Sequence, residues 1–183
     1  MKVEKKIDLV EEIFTDWVDK LGRDYLGYRN HVYRMLHFCF LLTDGSTDRG
    51  VSDREKLIIA GVFHDTGIWS DDTLDYIDPS VKAAMAYLES KGKEDWMEEI
   101  SLMISEHHKL GKYEDVRFPL VEVFRKGDLV DFSLGSFKCG LSKTTIKEVK
   151  SAFPNAGFHW MLTKRAAKWT LFHPLNPAPM MKR

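Results

Sequence analysis

The sequence is poor in the features that mark several broad protein classes. It holds two cysteines, Cys39 and Cys139, among 183 residues. That is too few for a disulfide framework, and they are not spaced as in a zinc ribbon, so reduced thiols are expected. No surplus of positive charge exists, because 27 Lys and Arg stand against 28 Asp and Glu. This removes the simplest case for a nucleic-acid polymer as partner, since such binding rests on displacing counterions from phosphates. The longest wholly apolar run, Leu57 to Phe63, falls far short of the roughly 20 residues a membrane-spanning helix needs. The opening Met1-Lys-Val-Glu-Lys-Lys lacks the apolar core of a secretory signal, so a cytoplasmic chain without a membrane partner is expected. Missing too are the serine-hydrolase elbow, the phosphate-binding loop, the dinucleotide glycine pattern and His-Glu-x-x-His.

What is present is an ordinary globular composition, 44% hydrophobic and 30% charged. A chain of this length buries roughly 70% of its unfolded surface and needs no staple. Periodicity predicts helices throughout. The first runs from about Glu4 to Leu21, with Ile7, Val10, Phe14, Trp17 and Leu21 in phase. The second runs from about Leu26 to Thr43, and Ser52 with Glu55 reads as a capping box for a third that ends near His64. Pro79 opens a fourth that Gly92 closes, and a fifth covers about Lys93 to His107. Pro119 starts a sixth to about Phe132, Thr144 to Ala152 is a short seventh, and Ala156 to Phe172 an eighth. The expectation is an all-α bundle of about seven to eight helices over residues 1–173. The Pro-rich tail 174–183 reads as extended and loosely ordered.

Several histidines and aspartates fall on faces that should be buried. His31 lies one and two turns before Met35 and Phe38, and His64 follows Leu57, Ala60 and Gly61 in phase. Asp65 follows Ile58 and Val62, Asp128 follows Val121 and Phe124, and His107 follows Ile100, Met103 and Ile104. Each alone is an ordinary core or surface residue. Together they ask for a common partner, because burying two carboxylates beside three imidazoles is costly without one. A divalent cation meets that demand: imidazoles donate electron pairs, and carboxylates add both ligand oxygens and compensating charge. Gly61, one turn before the pair, leaves room for a neighbouring helix.

In the order His31, His64-Asp65, Asp128, with the contexts Tyr-Arg-Asn-His31, Ala-Gly-Val-Phe-His64-Asp65-Thr-Gly and Arg-Lys-Gly-Asp128, the sequence resembles the HD-domain superfamily of metal-dependent phosphohydrolases. The resemblance covers residues 25–135. It implies that His31, His64, Asp65 and Asp128 ligate one divalent metal (manganese, iron, cobalt, nickel, magnesium or zinc). It further implies a small phosphorylated substrate, a phosphomonoester, nucleotide or phosphodiester, attacked by metal-activated water. Where many relatives carry Lys or Glu after the pair, this chain has Thr66-Gly67-Ile68-Trp69. Asp65 is then the residue to orient water, with His107 a proton-transfer group, or His107 or His108 a ligand for a second metal. Arg34, Lys109 and Arg125 are placed to grip a phosphate. The segment Asp71, Asp72, Asp75, Asp78 reads as a loop at the substrate entrance. Competing readings are an HD-type di-iron oxygenase and a non-catalytic metal- or nucleotide-binding domain. Five tryptophans and eleven phenylalanines suffice for a core and leave a homodimer open.

Overall fold

The computed structural model describes residues 3–43 and 50–181. Residues 1–2 and 44–49 of the expected domain and 182–183 of the expected tail lie outside these. Among the described residues the secondary structure is entirely helical, with eight helices of two turns or more. These are α1 (Asp8–Thr15), α3 (Tyr25–Thr43), α4 (Val51–Phe63), α6 (Ile77–Ser90), α7 (Met97–Glu106), α8 (Pro119–Phe132), α9 (Lys143–Ala152) and α10 (Phe158–Phe172). Two single α-turns, α2 (Val18–Leu21) and α5 (Gly67–Ser70), and three 3-10 turns, Gly22–Asp24, Glu94–Trp96 and Pro179–Met181, complete the chain order. Among the described residues no helix is long and apolar enough to cross a membrane.

α3 is the axis of the fold. Every residue from Asn30 to Cys39 is buried, so the helix has neighbours on all sides and no solvent face along that stretch. It carries polar groups into the interior, and they are met there: Asn30 donates to the Pro154 carbonyl at 2.8 Å, and His37 donates to the Tyr33 carbonyl at 2.7 Å. α8 lies antiparallel to α3, with Val123 opposite Cys39 and Asp131 opposite His31 and Arg34. Gly127 sets their separation. A Cβ at this position would sit 2.3 Å from Cys39 Sγ and 3.0 Å from the Met35 carbonyl. Gly61, expected to admit a neighbouring helix, meets only the Leu36 side chain, at 3.0 Å. The position that brings helix backbones close is therefore Gly127, beside Asp128.

The expected first helix is broken. α1 stops at Thr15, where the Asp16 and Trp17 N–H groups bond back to Ile13 and Phe14, and this turn drops Trp17 into the core. The capping box at Ser52 does not form, because α4 begins at Val51 behind Gly50 and Glu55 pairs instead with Lys93. At the end of α6 the helix closes as expected. Gly92 takes φ +63°, its N–H bonds Glu89 and the Lys93 N–H bonds Leu88, the paired arrangement that a left-handed residue after a helix allows. The tail is not extended. Trp169 Nε1 donates to the Asn176 carbonyl at 2.8 Å, Pro179 is buried, and Pro179–Met181 forms a short 3-10 turn.

Candidate metal centre

Four helices deliver the central residues. His31 sits mid-way along α3, Asp128 lies in the buried face of α8, and His64 and His107 are the residues that end α4 and α7. The last carbonyls of a helix lack intrahelical partners. Both terminal histidines exploit this: His64 Nδ1 donates to the Gly61 carbonyl at 2.8 Å, and His107 Nδ1 to the Ile104 carbonyl at 2.6 Å. His31 Nδ1 donates to Asp131 Oδ2 at 2.7 Å. Each ring is thereby held in the tautomer that leaves Nε2 with a lone pair.

Those three Nε2 atoms converge with two carboxylates. His31 Nε2 lies 3.1 Å from His64 Nε2 and 3.5 Å from Asp128 Oδ1. His64 Nε2 is 3.3 Å from Asp65 Oδ2, and His107 Nε2 is 3.7 Å from Asp65 Oδ1. Donor atoms that share one ion at about 2.0–2.2 Å lie roughly 3–3.5 Å apart. Asp65 Oδ1 and His107 Nε2 are buried and have no hydrogen-bond partner. All five residues are 5% exposed or less, so no bulk water dissipates this concentration of electron pairs. A cation or a proton has to sit among them.

The titration of the cluster follows from its crowding. Burial lowers His31 to about 4 despite the pull of Asp131, and burial, then His108 and His64, press His107 well below its ordinary value. Burial opposes charge on His64 as well, yet Asp65 and then Asp128 outweigh it and hold the imidazolium up to about 9. Burial works against an ionised Asp65, but His64, His107 and His31 together keep it far below the carboxylate range. Asp128 is lifted to about 7, chiefly by burial, with Asp65 and Asp131 adding repulsion against the pull of His64. At neutral pH, without a metal, His64 thus holds a proton and Asp128 holds a second in part.

The cluster floors a cavity of about 540 Å³. Lys109 and Arg125 line it, with Lys109 Nζ 2.9 Å from Glu106 and Arg125 bound through two nitrogens to Glu122. Arg34, expected to reach a phosphate, does not face the cavity. Its guanidinium is buried, grips Asp131 at 2.5 and 2.8 Å and donates to the carbonyls of Phe153 and Pro154. Its role is to hold Asp131, and through it His31. The segment 71–78 does border the cavity, through its apolar residues and not its aspartates. Asp71, Asp72, Asp75 and Asp78 all point outward, Asp72 pairing with Arg165, while their apolar neighbours Leu74 and Tyr76 turn in to line the cavity.

Three contributors escaped the sequence reading. Asp131 lies three residues after Asp128, as Arg34 follows His31, so two facing helices each carry an i, i+3 pair; that spacing was the available signal. His159, with Nε2 3.2 Å from the Asp131 carbonyl, and the tail residues Pro177 to Met181 left none, because only the path of α10 and the tail brings them to the cavity. No protein-family description, curated protein or solved structure matches this chain.

Proposed function

We propose that this chain is a metal-dependent phosphohydrolase of the HD-domain type, with His31, His64, Asp65 and Asp128 as ligands. The observation that carries the reading is a pair of overlapping buried donor groups, His31, His64 and Asp128 with His64, Asp65 and His107, each with its ligand atoms within 4.8 Å of one another. The donor set of nitrogen and carboxylate oxygen suits a first-row divalent ion. Such an ion, when bound, acidifies water and offsets negative charge at phosphorus.

The chain's own groups divide the remaining work. Asp131 fixes the His31 ring, and the Gly61 and Ile104 carbonyls fix those of His64 and His107. Asp65 lines the cavity, its Oδ1 is buried without a hydrogen bond, and its carboxylate is the group to accept a proton from water. His107 Nε2, neutral and 3.7 Å away, is the neighbouring proton acceptor. Lys109 and Arg125 supply positive charge at the wall for the phosphate. In the reaction the water oxygen bonds phosphorus, the bond from phosphorus to the ester oxygen breaks, and the proton ends on the departing oxygen.

Metal analysis of the purified protein, with a phosphate-ester screen repeated for each added cation, tests this. Expected is hydrolysis that needs the cation and falls in His64→Ala, with helicity retained, by more than the roughly 10–100-fold that loss of a ligand's outer partner costs. A metal-loaded protein that turns over no phosphate ester overturns it. One arrangement favours a second reading, with two metals. His107, His108 and Asp128 also present donor atoms within 4.8 Å of one another. Two irons per chain with oxygen consumption would turn the assignment to an oxygenase.

A further inference from the structure

The walls of the cavity differ in kind from its floor. Leu74, Leu129, Phe132, Phe137, Leu162 and Met180 present carbon to the space above the cluster. The polar groups among them are already engaged. His108 Nε2 meets the Tyr76 hydroxyl, Thr163 Oγ1 donates to the His159 carbonyl at 2.8 Å, and His159 Nε2 lies 3.2 Å from the carbonyls of Asp131 and Phe132. The guanidinium of Arg125 is taken by Glu122 and the Lys109 carbonyl. A ribose or a nucleobase seated here would bury hydroxyls and ring nitrogens against carbon, and unpaired polar groups are expensive in such a place. Only two cationic side chains, Lys109 and Arg125, line the cavity among the described residues, and each is already paired with its own glutamate; that suits one anionic group better than a triphosphate.

We infer that the cavity takes a ligand with a single anionic head at the cluster and an apolar body above it. Under the hydrolase reading, on which the identity of the head rests, the substrate is a phosphate monoester of an apolar alcohol. Nucleotides are then the wrong class.

The test uses full-length, metal-loaded protein and n-alkylphosphonates from ethyl to octyl, with adenosine monophosphate as comparator, followed by calorimetry. Affinity should climb about three- to fourfold per added carbon until the chain fills the cavity, as burial of a methylene predicts. Octylphosphonate should bind more tightly than the nucleotide. Phe132→Ser and Phe137→Ser should flatten that climb; both rings are more than half exposed, so folding does not depend on them. Hydrolysis of the matching alkyl phosphates is measured in parallel. A steep climb without hydrolysis upholds the apolar cavity and removes the hydrolase reading. Hydrolysis with a flat series, or with the nucleotide bound most tightly, overturns the inference and leaves the hydrolase reading standing. Failure of every phosphonate to bind overturns the inference, and the hydrolysis measurements then judge the hydrolase reading by themselves.

Discussion

Replacing Asp131 by Asn probes the centre without touching a donor atom that faces the cavity. The carboxylate serves two buried donors at once, accepting from His31 Nδ1 at 2.7 Å and from Arg34 at 2.5 and 2.8 Å. An amide of the same shape has one acceptor oxygen. If that oxygen keeps Arg34, the amide hydrogens face His31 Nδ1 and drive the ring to the other tautomer, so that Nε2 carries hydrogen and its lone pair is lost. If the oxygen keeps His31, it also keeps Arg34 Nη2, and the amide N–H donors confront Arg34 Nε, which is left without its acceptor in a buried place. Breaking a buried pair costs about 3–5 kcal/mol, and loss of a carboxylate that orients a histidine ligand lowers metal affinity about 10–100-fold. For a chain of this size the first figure corresponds to a drop in Tm of roughly 6–20 °C. The assays are thermal melting with chelator, which reads stability alone, and calorimetric titration of the metal. The pH dependence has a definite sign. Burial works against the Asp131 charge, but His31 and Arg34 hold the carboxyl down to about 2, so its contribution is complete above the usual carboxylate range and is lost as pH falls through it towards 2. The gap between parent and variant should therefore close in acid. A variant that melts within about 2 °C of the parent and binds metal equally well would refute the assignment of Asp131 as the residue that orients His31.

The remaining predictions concern protons, packing and one hydroxyl. Metal uptake displaces the proton held by His64, raised to about 9, and below 7 that of Asp128 as well. The logarithm of the affinity should thus rise by about two per pH unit below 7, by about one from 7 to 9, and level off above. Titration in two buffers of different ionisation enthalpy counts the protons, and an affinity independent of pH contradicts the arrangement. Gly127→Ala places a methyl 2.3 Å from Cys39 Sγ and 3.0 Å from the Met35 carbonyl. It should destabilise by about 1–3 kcal/mol in urea unfolding, and adding Cys39→Ala should restore only part, because the Met35 carbonyl stays in place. Tyr28→Phe removes a hydroxyl that donates to the Val62 carbonyl at 2.8 Å and accepts from the Asp65 N–H at 3.3 Å. A loss of about 1–3 kcal/mol is expected, with weaker metal binding, because Asp65 loses a backbone anchor; an unchanged unfolding midpoint would show that neither contact matters.

How much could be read in advance depended on the range of the interaction. Helix positions came from local periodicity and from Pro119 and Gly92, which act on the backbone within a turn, so α3, α6 and α8 stand where they were expected. The break after Thr15 and the start of α4 at Val51 were not legible. Core burial of Trp17 decides the one, and the Lys93 partner of Glu55 from a distant segment decides the other. Arg34 shows the same limit at the site: its spacing from His31 was correct for a phosphate clamp and equally correct for a partner of Asp131. What the amino-acid order determined alone is which helices form and which of their residues point inward, since both follow from side-chain spacing over a few turns. Which inward residues meet, which cation is consumed by a neighbouring acid, and that Leu74, Phe137 and Met180 wall the space above the histidines were settled only by tertiary packing, because those partners lie tens of residues apart and nothing local couples them.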